Sequence, residues 1–102
     1  MSEGRLEGKN VVISGGAAGV GGAASKIFAS EGAYVAIVDV QEEVGVNLAE
    51  RINKTQGNAF FVKCDVSVAK EVENAIETIN DRFDNSIDVL FNHAGTVIIK
   101  PF

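Results

Sequence analysis

Apolar residues in this chain fall into short unbroken runs separated by segments with helical spacing, and the two patterns alternate. Val11-Val12-Ile13 is a β-branched run closed by Ser14-Gly15, the pattern of a buried strand. Val20, Ala23, Ala24, Ile27 and Phe28 then recur at helical spacing, and Gly32 suits the positive φ that a helix end often needs. Residues 33–38 are almost wholly apolar and predict a second buried strand. Val44, Leu48 and Ile52 repeat every four residues, so residues 41–56 predict a helix stopped by Gly57. Residues 59–64 predict a third strand, with Cys64 as a small buried hydrophobe within it. Ser67 is a good N-cap, and Val68, Val72, Ala75, Ile76, Ile79 and Phe83 form one continuous helical stripe. Residues 87–91 predict a fourth strand, which leads into Asn92-His93-Ala94-Gly95.

The predicted order is β-α-β-α-β-α-β. Continuous apolar strands alternating with amphipathic helices imply an α/β fold, a doubly wound parallel sheet covered on both faces. Right-handed crossovers and the logic of nucleotide sites favour strand order 3-2-1-4. The 102 residues are enough for one domain and too few for two.

Composition narrows the function classes. Hydrophobic residues make up 46% and charged residues 23%, an ordinary globular balance. The net charge is −5 and no Lys/Arg run stands out, so nucleic acid and anionic membranes are not expected partners. Glu42, Glu43, Glu50, Glu71, Glu73 and Glu77 read as solvated helix faces. Cys64 is the single cysteine, which fits a reducing, cytoplasmic setting. The polar start of the chain lacks the apolar core of a secretory signal, and the longest uncharged stretch, residues 10–25, is too short and glycine-rich to span a membrane. No His/Cys/Asp cluster has metal-ligand spacing, so no metal is expected.

Candidate chemistry begins at Ser14-Gly15-Gly16-Ala17-Ala18-Gly19-Val20-Gly21-Gly22. An anion site of this kind needs a sharp turn after a strand, a backbone free of Cβ atoms, and a helix N-terminus whose N–H groups face the anion. Gly15 suits the turn; Gly19 and Gly21 lie at the helix entrance. No Gly-Lys-Ser or Gly-Lys-Thr follows, which disfavours a nucleoside triphosphatase. A glycine-rich turn that only lets helix and strand pack closely is the alternative.

Asp39 sharpens this pattern, because it falls twenty residues after Gly19 at the tip of the second predicted strand. A carboxylate there can accept hydrogen bonds from both ribose hydroxyls of an adenosine, and it repels a 2′-phosphate. Like charges about 4 Å apart at an effective dielectric near 20 cost about 4 kcal/mol, whereas a tenfold preference needs only about 1.4 kcal/mol. Neither Val40 nor Gln41 supplies a cation, and the glycine loop holds no basic residue. The expected cofactor is therefore NAD rather than NADP. The alternative for Asp39 is a solvated acid capping the next helix.

Three motifs in order now resemble a known family. Ser14-Gly15-x-x-x-Gly19-Val20-Gly21 resembles the Thr-Gly-x-x-x-Gly-Ile-Gly loop of the short-chain dehydrogenases/reductases. Asp65-Val66 is similar to the pair after that family's third strand, and Asn92-His93-Ala94-Gly95 to its Asn-Asn-Ala-Gly after the fourth. The resemblance runs from Leu6 to Phe102 and implies a Rossmann-type fold. It also implies that Gly15, Gly19 and Gly21, with Val20 among them, line a pyrophosphate. Asp39, beside Val40, would take the ribose hydroxyls. Asp65 would accept from the adenine amino group, with Val66 against the ring. Asn92 would brace the central strands, and Ala94 and Gly95 would border the cofactor. Ser14 in place of Thr keeps a hydroxyl. His93 replaces the second Asn and reads as a motif variant rather than a proton shuttle.

The implied activity is interconversion of an alcohol and a carbonyl on a small molecule by hydride transfer. The family's catalytic Ser and Tyr-x-x-x-Lys are not found in this sequence: Tyr34 is the sole tyrosine, and Val38 stands four residues on. No catalytic residue is therefore assigned. The chain is expected to be the N-terminal half of a dinucleotide-binding domain, gripping adenosine weakly and catalysing nothing alone. The fourth strand is expected to lack an outer neighbour and the apolar Val97-Ile98-Ile99 to lack a packing partner, an edge that favours homo-oligomers. The competing reading is a non-catalytic dinucleotide-binding or self-associating interaction module.

Overall fold

The computed structural model describes residues 6–55, 57–92 and 95–98. Eight elements follow one another: β1 (Asn10–Ser14), α1 (Gly19–Ser30), β2 (Tyr34–Asp39), α2 (Glu42–Lys54), β3 (Asn58–Lys63), α3 (Ala69–Phe83), β4 (Val89–Asn92) and β5 (Gly95–Ile98). The first four strands are parallel in the order β3-β2-β1-β4, the doubly wound arrangement that the sequence predicts. In register, Val12 faces Ala36 on β2 and Leu90 on β4, and Val38 faces Val62 on β3.

Both faces of the sheet are buried, and successive strand residues serve opposite faces. Val11, Ile13, Val35 and Ile37 pack with Ala29 of α1 and with Leu48, Ala49 and Ile52 of α2. Val12, Ala36 and Val38 pack with Ala75, Ile79 and Phe83 of α3 on the other face. Each fully buried Val or Ile contributes about 1.5–3 kcal/mol relative to exposure. Phe28 meets Phe91 edge-on at 5.8 Å and so ties α1 to β4. Phe60 meets Phe83 at 5.4 Å, tying β3 to α3, and the Arg82 guanidinium lies 4.1 Å above the Phe60 ring.

Helix α1 departs from its apolar pattern. Val20, Ala23 and Ile27 point to solvent, and the buried face consists of Gly21, Gly22, Ser25 and Ala29. Small residues win because the helix lies so close to the preceding loop that a Cβ at Gly21 would land on the Gly15 carbonyl. The helix ends as predicted at Gly32, whose φ is +96°. The Gly32 N–H donates to the Ala29 carbonyl at 3.0 Å and the Ala33 N–H to the Phe28 carbonyl at 3.1 Å, the bond pair of a Schellman stop.

Other local expectations shift. In α2, Leu48 and Ile52 are buried, but Val44 is exposed and Gly45 takes the buried position, where a Cβ would strike the Phe61 ring. Gln56, the predicted end of this helix, lies outside the described residues. Ser67 does not cap α3: Val68 is the N-cap, and the Ser67 hydroxyl donates to Asp65 instead. Val68 and Ile76 of the predicted stripe are exposed. Cys64 is buried one residue beyond β3 rather than inside it.

The outer edge of β4 also differs from expectation. Gly95–Ile98 returns along it as antiparallel β5, with Asn92 opposite Gly95 and Val89 opposite Ile98. The chain thereby satisfies backbone groups that would otherwise line an open edge. Ile99 lies outside the described residues. At the opposite edge, the Asn53 side chain of α2 receives the Ala59 N–H at 2.8 Å and donates to the Ala59 carbonyl at 2.9 Å. Among the described residues, no helix is long and apolar enough to cross a membrane.

Candidate functional site

The loops that follow β1, β2 and β3 all leave the carboxyl end of the sheet, because the three strands are parallel. The glycine loop is built first. Gly15 turns the chain at φ +70°, and the Gly15 and Gly16 N–H groups both donate to the Val38 carbonyl, at 2.8 and 3.2 Å. These two amides are thus committed to β2. The first helical bond runs from the Gly22 N–H to the Ala18 carbonyl at 3.0 Å. The Gly19, Val20 and Gly21 amides precede it and have no acceptor within the helix. Ala18 is the N-cap, makes no side-chain cap bond, and the first turn carries no acid. The result is a helix start with outward N–H groups and a positive dipole end.

The three motif glycines do different work. Gly15 makes the turn. Gly19 has φ +61° and open space where a Cβ would stand, so it keeps the helix entrance bare. Gly21 is buried, and its missing Cβ lets α1 sit against Gly15.

Asp39 is the last residue of β2 and is only 9% exposed. Its Oδ2 accepts the Ala17 N–H at 3.1 Å and its Oδ1 accepts the Gln41 N–H at 3.0 Å. It is therefore neither freely solvated nor remote from the glycine loop: one carboxylate fastens that loop to the tip of β2. Gln41 is the N-cap of α2, so Asp39 also supports that helix start.

Asp65 follows β3. Its Oδ1 accepts both the Ser67 hydroxyl at 2.7 Å and the Ser67 N–H at 3.0 Å. These two bonds, the hydroxyl's first, hold its pKa below the ordinary aspartate value. The Asp65 N–H donates to Glu71 Oε1 at 2.8 Å, so Glu71 fastens this loop from α3 instead of only facing solvent. The neighbouring Cys64 N–H reaches the Asp39 carbonyl at 3.0 Å and joins the ends of β3 and β2. Burial, then the Glu71 and Asp65 charges, push the Cys64 thiol pKa up.

Three valines at this end of the sheet stay exposed: Val20 at 66%, Val40 at 53% and Val66 at 61%. An apolar rim beside helix-start amides and carboxylates suits a ligand with both a ring and an anion. On the α3 side, Ser14, Val38, Val66 and the half-buried Asn92 line a cleft of about 470 Å³. His93 and Ala94 lie outside the described residues, and Gly95 is the first residue of β5. The sequence reasoning missed Ser25 and the bracing role of Glu71. Ser25 is 0% exposed, and its hydroxyl lies 3.0 Å from the Gly16 carbonyl and 2.9 Å from that of Gly21. The available signal was a lone hydroxyl closing the small-residue run from Gly21.

Comparisons with known proteins bear on the family and the fold. The short chain dehydrogenase family model matches residues 9–102. Short-chain dehydrogenase reductase 3a of Arabidopsis thaliana is 45% identical over 97 residues, which is 95% of this chain and 37% of that protein. The chain thus spans little more than a third of this relative's length. Among solved structures, a hydroxysteroid dehydrogenase from Escherichia coli superposes with a TM-score of 0.83 at 28% identity, covering 86% of this chain and 37% of that one. An oxidoreductase from Haemophilus influenza, solved with bound NAD, superposes at 0.79 with 25% identity, covering 85% and 31%. By the extent of the family match, this chain belongs to the short chain dehydrogenase family.

Proposed function

We propose that this chain is the NAD(H)-gripping portion of an oxidoreductase that interconverts an alcohol and a carbonyl on a small molecule. The observation that carries the reading is the α1 start beside Asp39: an N-cap with no side-chain cap bond, three first-turn amides with no acceptor in the helix, and an acid at the tip of the neighbouring strand. The open space at Gly19 fits the group, since a Cβ there would intrude on an approaching pyrophosphate. The Gly19, Val20 and Gly21 N–H groups would hold the pyrophosphate. The lone pairs that Asp39 retains beyond Ala17 and Gln41 would accept the ribose hydroxyls and repel a 2′-phosphate. Asp65 would accept from the adenine amino group, with Val66 and Val40 against the ring. Asn92 would brace the central strands, and Ala94 and Gly95 would border the cofactor. The nicotinamide, when bound, supplies or accepts the hydride. This chain's own residues bind and orient; none is assigned to proton transfer.

Calorimetric titration of the chain with NADH and NADPH tests the reading. NADH should bind more tightly, and Asp39→Ala should shrink the difference. Absence of binding would sink the proposed function. Equal affinity for the two cofactors in the parent would sink the role of Asp39.

A further inference from the structure

One peptide unit in the glycine loop is held at both ends by buried side chains. The carbonyl of Gly16 faces the Ser25 hydroxyl at 3.0 Å. The N–H of the same peptide, on Ala17, donates to Asp39 Oδ2 at 3.1 Å. The described chain contains no cis peptide bond, so this carbonyl and N–H point in opposite directions across one rigid plane. A plate about one peptide wide therefore connects α1, through Ser25, to the acid at the tip of β2. Ser25 has a single proton to donate and two carbonyls in reach. The Gly21 carbonyl already belongs to the i→i+4 ladder of α1, where the Ser25 N–H reaches it. The proton therefore matters most at Gly16.

We infer that Ser25 is a positioning residue for cofactor discrimination: its hydroxyl sets the Gly16–Ala17 plane, and that plane sets the Asp39 carboxylate. The inference rests on the proposed role of Asp39. Without the hydroxyl, the Gly16 carbonyl loses its partner in a buried place, and the plane can rotate about bonds that glycine leaves soft. The Ala17 N–H then swings off Oδ2, and Asp39 turns on the Gln41 contact alone.

The test uses ADP-ribose and 2′-phospho-ADP-ribose, which differ only where Asp39 acts. Calorimetric titrations of the parent and Ser25→Ala give the ratio of the two affinities. The loss of one hydrogen bond should lower the preference for ADP-ribose about three- to tenfold. A purely structural loss would weaken both ligands together and leave the ratio unchanged. A parent that prefers ADP-ribose, matched in ratio by Ser25→Ala, overturns this inference alone. A parent that binds the two equally overturns the role of Asp39 and this inference with it, and a parent that binds neither overturns the proposed function as well. Amide exchange on the parent needs no variant to fold: the Ala17 amide must be protected, and one that exchanges at the rate of an open loop refutes the clamp.

Discussion

Two acids at the carboxyl end of the sheet spend part of their acceptor capacity on their own backbone. Asp39 holds two amides from different elements, and Asp65 holds both donors of Ser67. For Asp65 the consequence is a pKa below the ordinary value, so its contribution is present above the usual aspartate range and is lost as pH falls through the lowered value. Ser67→Ala removes the larger of the two causes. The Asp65 carboxyl, followed by carbon NMR through an acid titration, should then protonate at higher pH than in the parent. An unmoved midpoint would show that the hydroxyl does not govern it. The position of Asp39 was legible from spacing alone. Its partner Ala17 was not, because that bond joins residues 22 apart and exists only once β1 and β2 are side by side. Ser25 was hidden for a related reason: a serine in a helix is unremarkable until the carbonyl it meets is known.

At the scale of elements, α1 shows what period reading detects and what it misses. The helix and its Gly32 stop were legible. Its buried face was not, since hydrophobicity marks Val20 and Ile27 while contact distance selects Gly21, Gly22 and Ser25. The same closeness separates the two glycines of the helix entrance. Gly21→Ala drives a Cβ into backbone that cannot step aside, and should cost about 3 kcal/mol or more, at the upper end for overpacking. Gly19→Ala meets no atom and bears only the left-handed backbone cost of about 1–2 kcal/mol. Urea denaturation of the two variants should rank them in that order; equal losses would mean that α1 is not seated on Gly15. At α3 the same kind of short-range competition misled the sequence reading. Ser67 is a sound cap by residue type, but Asp65 lies two residues away and captures its hydroxyl.

Across the whole molecule, the parallel order of the four main strands follows from alternating element types and one handedness rule. The return of β5 along β4 does not, because strand pairing after Asn92 depends on which edge is open, a property of the assembled sheet. The assembled sheet also sets where the molecule is firmest. Val11, Ile13, Val35 and Ile37 are fully buried on β1, the middle strand of the sheet, and on its neighbour β2. Their amides should exchange with deuterated solvent last, and those of β3 sooner. Slower exchange in β3 than in β2 would contradict this order.

The Asn53 amide gives β3 a further property. A foreign strand seeking to extend the sheet there would find the Ala59 rung already filled, donor and acceptor alike, by a side chain lent from α2. It could not zip along that border in an unbroken register. The β3 margin thus carries a built-in obstacle to strand addition at Ala59.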